Sequence, residues 1–182
     1  YGLLKLGAML QRSGYGIQFI NGLDYRDHDS EAVLGPVSRK DDGTGKFFRQ
    51  RLDSTKADFR GPEAREGREA TGGREARSYA RYGIIAESLE GQIASSNPDI
   101  VLIGTMMTYW YPGVIEVVES VRRHYPDVPV IAGGIYASLL PDHCRDVCGV
   151  DHVIQGEAGE DLNLLLEQLG MPPCSAAGER EE

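Results

Sequence analysis

The sequence predicts an open α/β fold with a mostly parallel sheet and helices on both faces. Within Asp99–Ala137, an apolar run ends in a short uncharged loop, Thr105–Gly113, and valines then recur at helical spacing. A second apolar run, Val130–Ala132, ends at Gly133-Gly134. A strand, a helix and a strand within about 35 residues form a βαβ unit with parallel strands. Because ligands of such sheets bind beyond the carboxyl ends of the strands, any site is expected at this loop and this turn.

Apolar spacing and turn residues predict the other elements in the same way. Gly14 stops the first helix, Asn97-Pro98 ends another, and Pro141 stands in a first helical turn, where its missing N–H costs nothing. The predicted elements in chain order are helix Tyr1–Ser13, strand Ile17–Ile20, helix Ile84–Ser96, strand Ile100–Gly104, a helix over Val114–Val121, strand Val130–Ala132, helix Leu139–Val147, strand His152–Ile154 and helix Glu160–Leu169.

The beginning of the sequence departs from this fold class. A doubly wound fold opens with a strand, and that strand is the central one in a flavodoxin-like order. No strand pattern precedes the helix at Tyr1–Ser13. We expect that the first strand is cropped from the sequence; the alternative is that another chain or segment fills its place.

A long polar stretch, Asp24–Tyr82, interrupts the alternation of strands and helices. It is rich in Gly, Arg, Asp and Glu, and Glu63–Arg77 nearly repeats Gly-Arg-Glu-Ala. Gly61–Ala76 is predicted to be a mobile segment. Such a composition cannot bury enough apolar surface to order itself, so a partly disordered loop is predicted there. The domain is predicted to span 1–169, with 170–182 as a linker or tail.

Composition and charge exclude several classes of partner. The formal net charge is −9 at pH 7, which argues against binding to nucleic acid or to an anionic membrane surface. Three cysteines do not suggest a disulfide framework, and no apolar run reaches the length of a membrane span. With no signal-peptide pattern, a cytoplasmic location is expected.

The loop after the first βαβ strand carries the most unusual chemistry. Hydroxyls, thioethers and three consecutive aromatic residues occupy Thr105–Tyr111. This soft, uncharged surface suits a large amphipathic cofactor or a partner domain better than a small charged metabolite. Alternatively, Trp110 and Tyr111 only cap the end of the sheet. The pair Gly133-Gly134 likewise has two explanations, a close approach of backbone to a flat ligand or a tight turn that needs positive φ.

Other motifs are weak. No GxGxxG or complete P-loop is present, and Gly43–Lys46 resembles half a P-loop but stands in the polar stretch. Cys144 and Cys148 match two positions of a CxxxCxxC iron–sulfur motif whose third position is Asp151, so they cannot complete a cluster site locally. His143 and His152 are too dispersed for a metal set, and no catalytic residue is assigned.

Four stretches resemble the cobalamin-binding-like domain at the N-terminus of many radical S-adenosylmethionine (radical SAM) enzymes. They are GLLKLGAMLQRSGY (Gly2–Tyr15), TMMTYWYPGV (Thr105–Val114), VPVIAGGIYAS (Val128–Ser138) and HVIQGEAGEDL (His152–Leu162). Thr105-Met106-Met107 takes the place of the family's Ser-x-Leu, and Gly133-Gly134 follows at a similar spacing. The family's Asp-x-His-x-x-Gly element is not found, which argues against a histidine ligand on the lower face of cobalt.

The resemblance implies an accessory domain that holds cobalamin at the strand ends and catalyses nothing alone. The implied cofactor-binding residues are Thr105, Met106, Met107, Thr108, Tyr109, Gly133, Gly134, Tyr136, Gly156 and Glu157. Its implied partner is a radical SAM catalytic domain of the same polypeptide, which would hold the 4Fe-4S cluster and S-adenosylmethionine. Because some relatives keep the fold without cobalamin, a cofactor-free interaction or substrate-positioning module is the alternative. A receiver-like signalling domain is disfavoured, since no strand ends in the acidic residues of a phosphoacceptor site.

Overall fold

The chain divides into two compact units, one formed by Tyr1–Phe19 with Pro98–Glu182 and the other by Ile20–Asn97. The computed structural model describes residues 2–37, 45–52 and 79–174. The helices are α1 Gly2–Arg12, α2 His28–Leu34, α3 Ala86–Ala94, α4 Tyr111–His124, α5 Ile135–Leu139, α6 Pro141–Cys148 and α7 Gly159–Gln168. The strands are β1 Arg49–Leu52, β2 Tyr79–Tyr82, β3 Val101–Thr105, β4 Val130–Gly134 and β5 His152–Ile154.

The larger unit is built on a three-stranded parallel sheet in the order β3-β4-β5. In its register, Val101 is paired with Val130, and Ile131 with His152. All three strands therefore end at one edge, which we call the carboxyl edge. The predicted α/β fold class and the predicted parallel βαβ unit are both confirmed.

The central strand β4 is covered on both faces. Ile131 belongs to a core cluster with Leu10 of α1 and Leu162 and Leu166 of α7. Its neighbours Val130 and Ala132 point to the opposite face, because side chains alternate along a strand, and both are fully buried. Helices α4 and α6 cover that face. They contact each other, and α4 contacts β3 while α6 contacts β5.

The helical segment after β4 is broken where a single helix, Leu139–Val147, was predicted. Helix α5 ends at Leu139, and α6 begins at Pro141. Leu140 between them has φ −135° and ψ 60°, because the proline ring disfavours helical backbone in the residue before it. Pro141 occupies the first turn of α6, as predicted.

The sequence predicted a long loop over Asp24–Tyr82, but the described residues at both ends of that range form regular elements in the smaller unit. The prediction was therefore wrong for these residues. Asp27 caps α2 by accepting a hydrogen bond from the Ser30 N–H at 2.8 Å, and acidic residues in the first turn suit the helix dipole. Strands β1 and β2 pair antiparallel. Few apolar residues mark these elements, which is why hydrophobic periodicity missed them.

One further expectation is corrected. Residues 17–20 form no strand; Ile17 and Phe19 are 44% and 52% exposed, without the cross-strand partners that a strand needs. The boundary at residue 169 stays a prediction; just after it, Cys174 is buried and its N–H donates to Asn163 Oδ1 at 2.8 Å. The predicted mobile segment Gly61–Ala76 lies outside the described residues, and Gly43–Lys46 lies partly outside them.

In the described ranges, no helix combines the length and the apolar character that a membrane span requires.

Candidate functional site

Three segments meet at the carboxyl edge of the parallel sheet. The first follows β3 and contains a 3₁₀ turn, Thr108–Trp110, before α4 begins. The second is the Gly133-Gly134 end of β4 together with α5. The third follows β5 and includes Gly156 and Glu157. All the cofactor-binding residues predicted from the sequence lie in these three segments, as parallel strand ends require.

Thr105 is turned inward at this edge. Its Oγ1 donates a hydrogen bond to the Gly133 carbonyl at 2.8 Å and accepts one from the Ala137 N–H at 3.1 Å. The residue is 9% exposed. Its hydroxyl therefore fastens β3 to β4 and to the first turn of α5, and it contributes to a site by fixing the position of the edge.

Gly134 is required by the fold itself. Its backbone has φ 102° and ψ −168°, a region that residues with a Cβ avoid. A Cβ at this position would stand 2.2 Å from the Thr105 carbonyl oxygen. The tight-turn explanation thus accounts for this glycine.

Gly133 is not explained by the packing of the chain. A Cβ here would meet only the Ile154 carbonyl oxygen, at an ordinary distance of 3.7 Å. The residue is partly exposed and its φ is not positive. Of the two glycines, Gly133 is the one at which the chain has room for a Cβ, so its backbone is the one that a flat ligand can approach.

Exposed apolar side chains follow the ends of β3 and β4, and we call them the edge surface. Met106, Tyr109 and Leu139 are 54%, 69% and 65% exposed. Four further exposed residues complete the edge surface: Met107, Trp110, Ile135 and Leu140. Tyr109 and Trp110 contact edge to face, with ring centroids 6.0 Å apart. An exposed, uncharged apolar patch at a strand edge is typical of a binding surface.

The third segment is tied to α5 by hydrogen bonds. The Gly156 N–H donates to Ser138 Oγ at 2.9 Å, and Gln155 Nε2 donates to the Ser138 carbonyl at 3.2 Å. Gly156 has φ 70°, and both it and Glu157 are exposed. Glu157 is the one acidic residue among those predicted to bind the cofactor, so the predicted site is nearly uncharged.

Tyr136 is placed away from the surface. Its side chain is fully buried, and its hydroxyl lies 2.7 Å from His143 Nδ1 and 3.4 Å from Cys148 Sγ. Burial and, to a lesser extent, the hydrogen bond to Cys148 raise the pKa of the Tyr136 phenol above its ordinary value. The buried side chain of Tyr136 is not placed to contact a ligand directly. Tyr136 can therefore support a ligand at this edge only by fixing the position of α5. Thr108 is half-buried in the 3₁₀ turn.

Among the described residues, no group of three or more His, Cys, Asp or Glu side chains has an arrangement that could hold a metal ion. Cys144 and Cys148 are buried, free thiols on α6. His152 starts β5 at the opposite edge of the sheet, far along the strands from the edge surface. The three segments at the carboxyl edge contain no histidine.

Comparison with known families identifies the family of this domain. A family model described as the B12 binding domain matches residues 75–166, about half of the 182 residues. The chain belongs to the B12-binding domain family. The matched range includes β3, β4 and β5 and every segment of the carboxyl edge. No curated protein and no solved structure matches the chain.

Membership of the B12-binding family confirms the predicted resemblance to a cobalamin-binding domain and agrees with the geometry of the edge. The corrin of B12 is broad, flat and largely apolar on its faces. An uncharged edge surface beside Gly133, where the backbone is open to approach, fits such a group. The radical SAM context stays a prediction.

Sequence reasoning missed the part of the edge surface that α5 provides. Ile135, Leu139 and Leu140 are exposed there. The available signal was the proline at 141, which ends α5 after five residues and leaves Leu139 and Leu140 in a short segment with little to cover them.

Proposed function

We propose that this B12-binding domain holds cobalamin at the carboxyl edge and serves as an accessory domain of a radical SAM protein. The observation that carries the proposal is the edge surface, an exposed apolar patch beside the open backbone of Gly133, in a chain of the B12-binding family. Resemblance to the radical SAM cobalamin domains supports the context.

The residues of the edge divide into two roles under this proposal. Met106, Met107 and Tyr109 supply thioether and aromatic surface against the corrin, since soft, adaptable side chains contact large planar groups well. Gly133 lets the corrin approach the backbone. Thr105, Gly134 and Tyr136, which are engaged within the fold, hold these contacts in place.

The lower face of cobalt is proposed to lack a protein imidazole. His143, the histidine nearest to α5 in sequence, has its Nδ1 bonded to Tyr136 and its ring edge-on to Tyr111, with centroids 5.0 Å apart. His143 lies on α6, and none of the histidines among the described residues belongs to the three segments of the edge. The bound cofactor is therefore expected to show a spectrum without nitrogen coordination by the protein.

The partner under this proposal is a radical SAM catalytic domain of the same polypeptide. That domain would hold a 4Fe-4S cluster and S-adenosylmethionine, and the cobalamin domain would present the cofactor to it, in the cytoplasm. This chain alone is expected to catalyse no reaction, because the edge surface offers neither a nucleophile nor a general base.

The test is a titration of the purified chain with hydroxocobalamin, followed by gel filtration to remove free cofactor and by visible absorption. Retention near one equivalent supports a cofactor carrier. The decisive variant is Gly133→Trp, which fills the open space, with Gly133→Ala as its matched control. A Cβ fits within the chain at this position but adds one methyl group toward the corrin, so retention should fall slightly in the alanine variant and be lost in the tryptophan variant. Equal retention by both variants would refute the proposed seat.

A second pair of variants tests the edge surface. Met106→Lys places a charge under the corrin, and desolvating that charge should weaken retention by about tenfold or more. Leu164→Lys is the control, since Leu164 is exposed to a similar degree, 58%, but lies on α7. Equal losses in the two variants would show that added charge acts without regard to position.

The alternative is a cofactor-free interaction or substrate-positioning module of the same protein. It is favoured by the edge-to-face pair Tyr109–Trp110, whose bulky rings are able to occupy the cofactor's place. A colourless chain after gel filtration, together with capture of the separate catalytic domain at micromolar concentration, would support this alternative. Absence of that capture would weaken it.

A further inference from the structure

Two thiols, a phenol and an imidazole form a connected cluster beneath α5. We call Tyr136, His143, Cys144 and Cys148 the thiol cluster. The Tyr136 hydroxyl lies 2.7 Å from His143 Nδ1 and 3.4 Å from Cys148 Sγ. Cys144 and Cys148 stand one turn apart on α6 and are 0% and 3% exposed. The cofactor site described above uses neither thiol.

The hydrogen bonds of the cluster have a consistent direction. A tyrosine hydroxyl has one proton, so it cannot donate to His143 and to Cys148 at once. If His143 Nδ1 carries a proton and donates it to the tyrosine oxygen, the hydroxyl is left to donate to Cys148 Sγ. The cluster then forms a chain from a partly exposed imidazole to a thiol. In its neutral form Cys148 itself donates to the Tyr111 carbonyl at 3.8 Å.

The two thiols differ in acidity because one donates to the other. The hydrogen bond from Cys144 lowers the pKa of the Cys148 thiol, burial opposes it, and the hydrogen bond from Tyr136 lowers it further, so that the pKa lies below its ordinary value. The hydrogen bond to Cys148 and burial raise the pKa of Cys144. Of the two thiols, Cys148 is the one that the Tyr136 hydroxyl contacts, at 3.4 Å, and we take it as the nucleophile of the pair.

Cys148 also borders solvent. It lines an open groove between α4 and α6, with Val118 on the opposite wall. The charged side chains along this groove are Glu119, Arg122, Arg123 and Asp146. Cys148 is 3% exposed, so the groove is the side from which a reagent would approach it. By contrast, Cys174 is buried in the core cluster on the α1 and α7 side of the sheet, and burial raises the pKa of its thiol.

From this cluster and groove, we infer that Cys148 reacts with hydroperoxides and that Cys144 converts the product to a disulfide. An acidic thiol that is reached from solvent and has a second thiol beside it is the arrangement found at oxidation-sensitive sites. Cys148 would thus be a modification site, separate from the proposed cofactor seat.

The reaction proceeds in two balanced steps. The Cys148 thiolate attacks one peroxide oxygen, an S–O bond forms, the O–O bond breaks, and the leaving alkoxide or hydroxide takes a proton. This step gives a sulfenic acid and an alcohol or water, and it oxidises the sulfur by two electrons. The Cys144 thiol then attacks the sulfenic sulfur, an S–S bond forms, and the S–O bond breaks. Hydroxide leaves with the proton of Cys144 as a second water.

The second step requires a small change in α6. In a regular helix, the Cβ atoms of residues four apart are about 5–6 Å from each other, more than the roughly 3.5–4.5 Å of a disulfide. Cys148 is the last residue of α6 and is followed by Gly149 in the left-handed conformation. Only the final helical turn must therefore loosen, and the movement withdraws the sulfur from Tyr136.

The test follows oxidation of the three thiols in the full chain. The protein is treated with hydrogen peroxide at pH 7, free thiols are blocked with N-ethylmaleimide, and peptides are quantified by mass spectrometry. Cys144 and Cys148 are expected to form a linked pair at least about tenfold faster than Cys174 is oxidised. In Cys144→Ser, dimedone should trap the sulfenic acid at Cys148. Tyr136→Phe, which keeps the ring but removes the hydroxyl, should slow oxidation of Cys148 with little change at Cys174.

A denatured control separates the effect of the cluster from the intrinsic chemistry of the peptides. In urea the preference for Cys148 should disappear, since all three thiols then have ordinary acidity. Oxidation of Cys148 no faster than of Cys174 in the folded chain, or a preference that persists in urea, would overturn the inference. Because no cobalamin is used, the outcome does not depend on the proposed cofactor site.

Discussion

The turn at the end of β4 places two adjacent glycines under different constraints, and replacing each with alanine measures the difference. Gly134→Ala should destabilise the larger unit strongly, whereas Gly133→Ala should leave it nearly unchanged. Both variants add one methyl group to neighbouring residues of the same strand end. The pair is therefore matched in chemistry and in location.

The expected cost at Gly134 has two sources. A residue with a Cβ at φ 102° and ψ −168° costs about 1–3 kcal/mol. The added Cβ would also stand 2.2 Å from the Thr105 carbonyl oxygen, and moving that backbone to relieve the contact costs about 1–3 kcal/mol more. The stiffer unfolded chain returns roughly 0.4–1 kcal/mol. The net loss is about 1–5 kcal/mol.

At Gly133 neither source applies. Its φ is not positive, and the nearest atom to an added Cβ is the Ile154 carbonyl oxygen at 3.7 Å. The same reduction in unfolded-state entropy then leaves the stability within about 1 kcal/mol of the parent.

Urea unfolding followed by circular dichroism gives the free energy of unfolding of each variant from its midpoint and slope. Tryptophan fluorescence from Trp110, the single tryptophan of the chain, reports on the carboxyl edge itself. If Gly134→Ala lost no more stability than Gly133→Ala, the assignment of Gly134 to the fold and of Gly133 to ligand approach would be wrong.

Two further predictions concern hydrogen bonds of the larger unit. Thr105→Val should cost about 1–3 kcal/mol in urea unfolding, because the Ala137 N–H and the Gly133 carbonyl lose their hydroxyl partner, while Thr105→Ser should retain most of the stability. Burial would raise the pKa of Asp151, but hydrogen bonds from Arg122 and the Val130 N–H hold it below its ordinary value. The stability that this carboxylate provides is present above its unfolded pKa of about 3.9 and is lost as the pH falls through the lower folded value.

The Thr105 and Asp151 predictions are each contradicted by a different result. A serine variant as unstable as the valine variant would show that the methyl group of Thr105, and not its hydroxyl, fastens the edge. Stability measured between pH 7 and pH 3 should fall less steeply in Asp151→Asn than in the parent chain. Identical slopes would indicate that other carboxylates govern the acid response.

Local patterns predicted the elements that carry the site. Ile100–Gly104 and Val130–Ala132 correspond to β3 and β4 within two residues at either end, and the valine spacing between them corresponds to α4. The first three residues of β4 are buried, β3 is half-buried along most of its length, and α4 buries one stripe, so the apolar pattern of these segments is strong. The helix α2 and the pair β1-β2 were missed because capping and cross-strand pairing, rather than apolar periodicity, define them.

The composition of the site was predicted better than the role of each residue in it. The loop after β3 and the glycine pair were identified from their residue types and their place after strands. Which hydroxyl turns inward, as at Thr105, depends on a carbonyl and an N–H about thirty residues away in sequence. A sequence pattern has no access to such partners.

The sequence by itself determined that this protein is a parallel α/β domain with an uncharged, aromatic loop and a glycine turn at neighbouring strand ends, since strand and helix periods and turn residues are local properties. Only the tertiary structure decided that Gly134 serves the turn while Gly133 faces open space, that Tyr136 is buried against His143, and that Cys148 receives hydrogen bonds on the wall of a groove. The physical reason is that exposure, steric clearance and thiol acidity depend on atoms brought together from distant parts of the chain.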